Sequence, residues 1–380
     1  MSINDLVNIS RFYGSNPEYT LAGGGNTSWK DDETLYVKAS GTSLAQATED
    51  SFVKMDRKTL SNIWKKSYSD SSDEREKEVL QDLMAARKEG EGQKRPSVEA
   101  LLHDIIPYAF IVHLHPALVN GLCCSQSGEE AAREIFGINE VLWIPSTNPG
   151  YILSRLVKLE SAEYFKKHQK YAPVILLQNH GIFAGADTAD GIKKIYEEVM
   201  AKIGARVKKH PDFSDETRIF AGKTNGGSSV RSEIKEILDM LSALAGSSCF
   251  MQSSAILNFL KDQKAFYPVS SAFTPDHIVY SGSDPLFTAA KDTVLLKDEW
   301  NNRIKKTNRN PKIVAVKDLG VFSAAATEKA ACFACDLFKD TVKVAVYCEN
   351  FQGPLFMSQD KIDFINNWEV ERFRSSVSTT

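Results

Sequence analysis

Short apolar and β-branched runs alternate with longer stretches of helical periodicity over the first 210 positions. Runs at 35–38, 110–114 and 174–178 read as strands. Between them, 72–88, 97–106 and 188–208 read as helices. The last sets Ile192, Ile195, Val199 and Ile203 at helical spacing, with lysine and glutamate on the other face. Residues 209–229 (KHPDFSDETRIFAGKTNGGSS) are polar and rich in Gly, Ser and Asp, the pattern of a linker or surface loop. Beyond them the pattern predicts helices over 232–245, 254–261, 327–340 and 360–373, and a strand over 312–316. The expected organisation is a first domain over 1–210, a linker over 211–229 and a second α/β region over 230–380. Residues 174–199 and 312–340 share one layout: apolar strand, Gly turn, apolar-x-apolar strand, Thr, long helix. Leu319 stands in the second where His180 stands in the first. The echo reads either as a degenerate repeat of one scaffold or as two unrelated units.

Composition narrows the function. The chain has 380 residues, 42% hydrophobic and 25% charged, a globular balance that excludes wholesale disorder. Lys+Arg 46 against Asp+Glu 49 gives a net charge of −3, so no basic excess exists to neutralise a nucleic-acid backbone. No apolar run approaches the ~20 residues needed to span a bilayer. The N-terminal residues show no basic segment followed by an apolar one, so no signal peptide is expected. Six cysteines are too few for a disulfide scaffold. Cys332-x-x-Cys335 sits in an alanine-rich helical pattern and reads as small helix residues rather than a zinc or redox pair. A reduced, cytoplasmic setting is expected, with no membrane or nucleic-acid partner.

The chemistry concentrates in few residues. His113-Leu114-His115 ends an apolar strand and is followed by Pro116. Strand side chains alternate, so both imidazoles face one way at a strand end, a common geometry for two zinc ligands. The other reading is a pair of surface histidines. A catalytic zinc takes three protein ligands and keeps a fourth position open. Of seven histidines, His168 and His210 lie in lysine-rich stretches, His277 reads as a turn residue, and His103 falls on the 97–106 helix. His180, in Gln178-Asn179-His180-Gly181 at a hairpin turn, is the candidate third ligand. Glu99 follows Ser97, the expected N-cap; it is either a first-turn acid complementing the helix dipole or a general acid/base facing the metal. Gly23-Gly24-Gly25-Asn26, Ser40-Gly41 and Ser97 could bind phosphate through backbone N–H groups, or be ordinary turns. No P-loop or dinucleotide fingerprint is present.

Taken in order, GGGN, a strand ending in Ser40-Gly41, Ser97-x-Glu99, His113-x-His115-Pro116 and Asn179-His180-Gly181 make the chain resemble the class II aldolase/adducin family over residues 1–210. The pieces GSNPE at 14–18, YVKASGTS at 36–43, RPSVE at 95–99 and TPDH at 274–277 are similar to the aldolase part of long rhamnulose-1-phosphate aldolase/dehydrogenase proteins. That part includes a region like 230–380; these residues carry no counterpart of the dehydrogenase part, so dehydrogenase activity is not expected of them. The resemblance implies an α/β fold with a mainly antiparallel sheet between helix layers. It implies one Zn²⁺ per subunit on His113, His115 and His180, an acid/base role for Glu99, and phosphate binding by Gly25, Asn26, Ser40, Gly41 and Ser97. Smaller aldolases of the family have two serines before the glutamate; here Ser97-Val98 stands, which puts one phosphate hydrogen bond in question. The implied activity is cleavage of a ketose 1-phosphate, L-rhamnulose 1-phosphate by the resemblance, to dihydroxyacetone phosphate and an aldehyde (L-lactaldehyde), by a homo-oligomer. A sugar-phosphate epimerase or dehydratase on the same site, or a non-catalytic adducin-like module, are the alternatives.

Overall fold

The computed structural model describes residues 2–137, 140–222, 231–371, 373 and 377. The chain divides into two compact units. The first comprises Met1–Cys123, Ser127–Arg206 and Asn367–Ser378; the second comprises Cys124–Gln126 and Val207–Asn366.

The first unit is built on seven strands: β1 (Asn26–Lys30), β2 (Thr34–Lys38), β3 (Phe52–Asp56), β4 (Phe110–Leu114), β5 (Val141–Ile144), β6 (Val174–Leu177) and β7 (Gly181–Ala186). Their order is β3-β2-β1-β4-β7-β6-β5. Every pair is antiparallel except β5 with β6. β4 takes the centre because its apolar run, broken only by His113, suits a strand buried on both faces, and all five of its residues are buried. On one face, Leu102, Leu153 and Val157 pack with Ile111, Ile175, Leu177 and Phe183. Leu102 belongs to the helix Ala100–Ile105, and Leu153 and Val157 to the helix Tyr151–His168. The helices Ile3–Gly14 and Ala189–Gly204 cover the other face. They meet through the Tyr13 and Tyr196 rings, and the Tyr196 hydroxyl donates to Val112 O at 3.0 Å. This is the α/β/α layering the sequence suggested.

Two local expectations change. The Gly-rich cluster is only half a loop, because Asn26 already starts β1. Ser97 is not the N-cap: Glu99 occupies that position and the helix starts at Ala100. The Ser97 hydroxyl accepts from Glu99 N at 3.2 Å, a turn just ahead of the helix.

The second unit holds β8 (Thr217–Phe220), β9 (Ser247–Gln252), β10 (Leu286–Thr288), β11 (Ile313–Val316) and β12 (Gly320–Ala325), in the order β10-β11-β12-β9-β8. β8 lies inside the segment expected to be a linker; it has few apolar residues because it is an edge strand, paired only with β9. Residues 223–229 of that segment lie outside the described residues. Within this unit β10 and β11 are parallel and the other pairs antiparallel. The order and directions match β5-β6-β7-β4-β1 of the first unit. Both hairpins carry a left-handed turn residue, Asn179 (φ 58°) and Asp318 (φ 53°). Both following helices open on a threonine cap: Thr188 accepts from Gly191 N at 3.0 Å and Thr327 from Ala330 N at 3.1 Å. The second of these helices, Glu328–Cys348, runs further than the expected 340 because its buried face continues through Val344 and Ala345.

Candidate metal centre

β4 and the β6–β7 turn deliver the three histidines. The β4–β7 register sets His113 opposite Phe183, and the two rings stack with centroids 4.0 Å apart. His180 sits in the turn between β6 and β7, at the same end of the sheet as His115. Gly181 is required beside it: a Cβ there would stand 2.5 Å from the His115 ring and 2.6 Å from Leu114 O. The His113 Nε2 lies 2.9 Å from His115 Nε2 and 3.4 Å from His180 Nε2. One nitrogen from each ring falls within 4.8 Å of the others.

Those spacings test whether a metal fits. Tetrahedral Zn²⁺ with Zn–N of about 2.0–2.1 Å places two ligand nitrogens roughly 3.3–3.4 Å apart; the His113–His180 pair stands at 3.4 Å and the His113–His115 pair, at 2.9 Å, is tighter. The His113 Nδ1–H donates to Ile182 O at 3.0 Å, which turns the Nε2 lone pair inward, the usual second contact of a metal-ligating histidine. Lone pairs converging at these distances repel unless a cation joins them. The residues therefore fit a divalent ion held by three imidazoles.

Glu99 adds the carboxylate. Its Oε2 stands 3.5 Å from His113 Nε2 and its Oε1 3.6 Å from His180 Nε2. Glu99 is buried, and Oε1 has no hydrogen-bond partner among the described residues. An orphaned carboxylate oxygen beside three imidazoles is costly unless an ion or substrate meets it.

The other expected site residues surround this group. Gly25 immediately precedes β1 with φ +68°, and a Cβ there would stand 2.9 Å from His113 O. No L side chain fits that approach. Asn26 pairs across the sheet with His113, and its Nδ2 donates to Glu99 Oε2 at 2.6 Å. Ser40 and Ser97 lie on adjoining loops: Ser40 N donates to Arg95 O at 2.8 Å and Ser97 N to Lys38 O at 3.1 Å. Gly41 follows with φ +82°.

Of the remaining histidines, three stand apart from this cluster. The His168 ring rests 4.4 Å from Tyr164, and His210 lies near Tyr347. His277 is not a turn residue: it opens a buried π-helical turn, His277–Ser281, and pairs with Asp340 at 2.9 Å. His103 is the residue the sequence reading passed over. It is fully buried, with Nε2 on Asn26 Oδ1 and Nδ1 2.6 Å from Ser28 Oγ. Burial, and then the nearby His113 and Lys30, push it well below the ordinary histidine range. The available signal was its spacing, four residues after Glu99.

In the second unit the matching positions are apolar or amide. Phe250 faces Phe322 as His113 faces Phe183, which places Gln252 and Leu319 where His115 and His180 stand.

Comparison with known proteins supplies the family. Residues 4–202 match the model of the Class II Aldolase and Adducin N-terminal domain. A Bacillus subtilis (strain 168) protein described as the uncharacterized oxidoreductase YuxG is 26% identical over 308 residues, 75% of this chain and 42% of that protein. The chain thus spans about two-fifths of the length of that relative. Among solved structures, the N-terminal class II aldolase domain of a conserved Thermoplasma acidophilum protein is 24% identical, covering 54% of this chain and 93% of its own, with a TM-score of 0.45. An L-fuculose 1-phosphate aldolase is 20% identical, covering 53% and 83%, with a TM-score of 0.37.

Proposed function

This chain belongs to the class II aldolase and adducin family, and from that premise we propose that it is a zinc-dependent aldolase cleaving a ketose 1-phosphate, L-rhamnulose 1-phosphate first among the candidates. The observation that carries the reading is the convergence of the His113, His115 and His180 nitrogens beside the Glu99 carboxylate. An adducin-like module that only bound partners would have no use for that arrangement.

His113, His115 and His180 would hold the metal, each through Nε2. The ion supplies Lewis-acid stabilisation for negative charge developing on the ketose oxygens. Glu99 Oε1, which has no hydrogen-bond donor among the described residues, is the oxygen assigned to move the proton to and from the substrate carbon left after C3–C4 cleavage. The Ser40 and Ser97 backbone N–H groups are already committed to Arg95 O and Lys38 O. The phosphate role assigned to these loops therefore falls to their hydroxyls and to Gly25 and Gly41. With its side chain engaged by Glu99 and His103, Asn26 is the weakest of the five phosphate positions.

The test is metal analysis of purified protein together with a cleavage assay on L-rhamnulose 1-phosphate and L-fuculose 1-phosphate. Release of dihydroxyacetone phosphate with L-lactaldehyde supports the reading. Interconversion of pentulose phosphates, or loss of water from a sugar phosphate, would move the assignment to an epimerase or dehydratase. Protein free of metal and inert toward every sugar phosphate would leave the adducin-like module.

A further inference from the structure

We propose that His103 is a positioning residue for Glu99, acting through the Asn26 side chain; this rests on the reading of Glu99 as the acid/base group. The chain of contacts runs Ser28–His103–Asn26–Glu99, and its directions can be worked out from the far end. Glu99 is acceptor-only when ionised, so the atom of Asn26 that faces it is Nδ2, donating at 2.6 Å. The amide is then oriented with Oδ1 toward His103. An oxygen needs a donor, so His103 carries its proton on Nε2. Nδ1 is left as an acceptor, and Ser28 Oγ, 2.6 Å away, donates to it. One carboxylate thus fixes an amide orientation, a histidine tautomer and a hydroxyl rotor in sequence.

The same chain fixes Glu99 in return. Asn26 and Ser28 sit on β1, whose register against β4 places Asn26 opposite His113. His103 sits on the helix that Glu99 caps. Lys30 Nζ anchors the end of that helix, donating to His103 O and to Ile106 O at 2.6 Å. The relay therefore ties strand to helix through the carboxylate. It occupies Oε2 and leaves Oε1 unpaired toward His180. A histidine that merely filled the core would pack just as well with either nitrogen protonated; here only one tautomer satisfies every partner.

Two substitutions separate positioning from packing. In His103→Gln an amide N–H can take the place of Nε2–H; in His103→Asn the shorter side chain can serve Ser28 but leaves Asn26 Oδ1 without its donor. On metal-loaded full-length protein, His103→Asn is expected to lower kcat by ~10-fold or more, the scale of a misplaced acid/base group. KM and metal content should stay within about twofold of the parent and His103→Gln should stay within about threefold in kcat, a split that loss of packing alone does not produce. Independently of activity, selective ¹⁵N-histidine spectra should show His103 as the Nε2–H tautomer, with a resonance that moves in Asn26→Ser. An Nδ1–H tautomer overturns the proposal whatever the rates are. So does parental turnover in His103→Asn, or equal losses in the Asn and Gln variants that follow their melting temperatures. Parental turnover in Glu99→Gln, by contrast, removes the reading of Glu99 and the positioning role with it.

Discussion

At the scale of single residues, the site is a set of close approaches with little slack. His113→Ala removes one of three ligands and the one whose Nδ1–H is locked to Ile182 O. Metal and activity should be lost together, checked by metal analysis and assay of the same preparation. Glu99→Gln keeps the shape and removes the ionisable oxygen; metal should stay bound while turnover falls by ~10²-fold. Gly25→Ala tests backbone rather than chemistry. Its φ of +68° and the 2.9 Å approach to His113 O leave no room for a methyl group. A loss of about 1–3 kcal/mol is expected from the urea midpoint, along with weaker metal retention, since the atom it strikes belongs to a ligand's own backbone. Unchanged stability in this variant would show that the loop before β1 does not hold His113 in place. The sequence made the candidate ligands visible because HxH on a strand and a histidine beside a turn glycine are local patterns. It hid His103 because a buried helical histidine has the same local signature whether it relays or only packs.

Secondary-structure elements carry two further expectations. The threonine caps of the helices Ala189–Gly204 and Glu328–Cys348 are matching features of the two units. Thr188→Ala and Thr327→Ala should each cost ~1 kcal/mol, seen as lowered denaturation midpoints. Lys30, at the end of β1, caps the helix Ala100–Ile105, and its burial pushes its ammonium down to about 7. In the unfolded chain the same group keeps its proton up to the ordinary lysine value of 10.5. Between those values the unfolded state binds more protons, so this group makes stability rise with pH across that window, and adds no slope below it. Lys30→Met should flatten the rise in urea midpoint between pH 7 and pH 9. An unchanged slope would show that another group sets it. The elements legible from sequence were those with strong periodicity, β4 and the long helices. β8 was missed because an edge strand needs only a partner on one side, and that partner, β9, lies about thirty residues further along the chain.

For the molecule as a whole, the same five-strand order occurs in both units, and the three-histidine cluster occurs in the first alone among the described residues. The positions answering to the three ligands in the second unit are Phe250, Gln252 and Leu319. Metal titration should therefore saturate at one ion per chain and fall to none in His113→Ala. Trp368 and Glu369 belong to the first unit: Arg95 Nη2 pairs with Glu369 at 2.6 Å, and the Trp368 ring stands 3.2 Å from where a Cβ on Gly150 would lie. Truncation after Asn366 should lower the melting temperature of the metal-bearing unit, followed by the release of metal on heating. The sequence by itself determined the alternation of strands and helices, the candidate histidines and the echo between 174–199 and 312–340, because each is written in short-range periodicity and residue chemistry, while the layered sheet came only with the family resemblance. Only the tertiary structure decided that His180 reaches His113, that Asn26 serves Glu99, and that Glu369 pairs with Arg95. Those contacts join positions scores of residues apart, and sheet register, which no local pattern encodes, brings them within hydrogen-bond range.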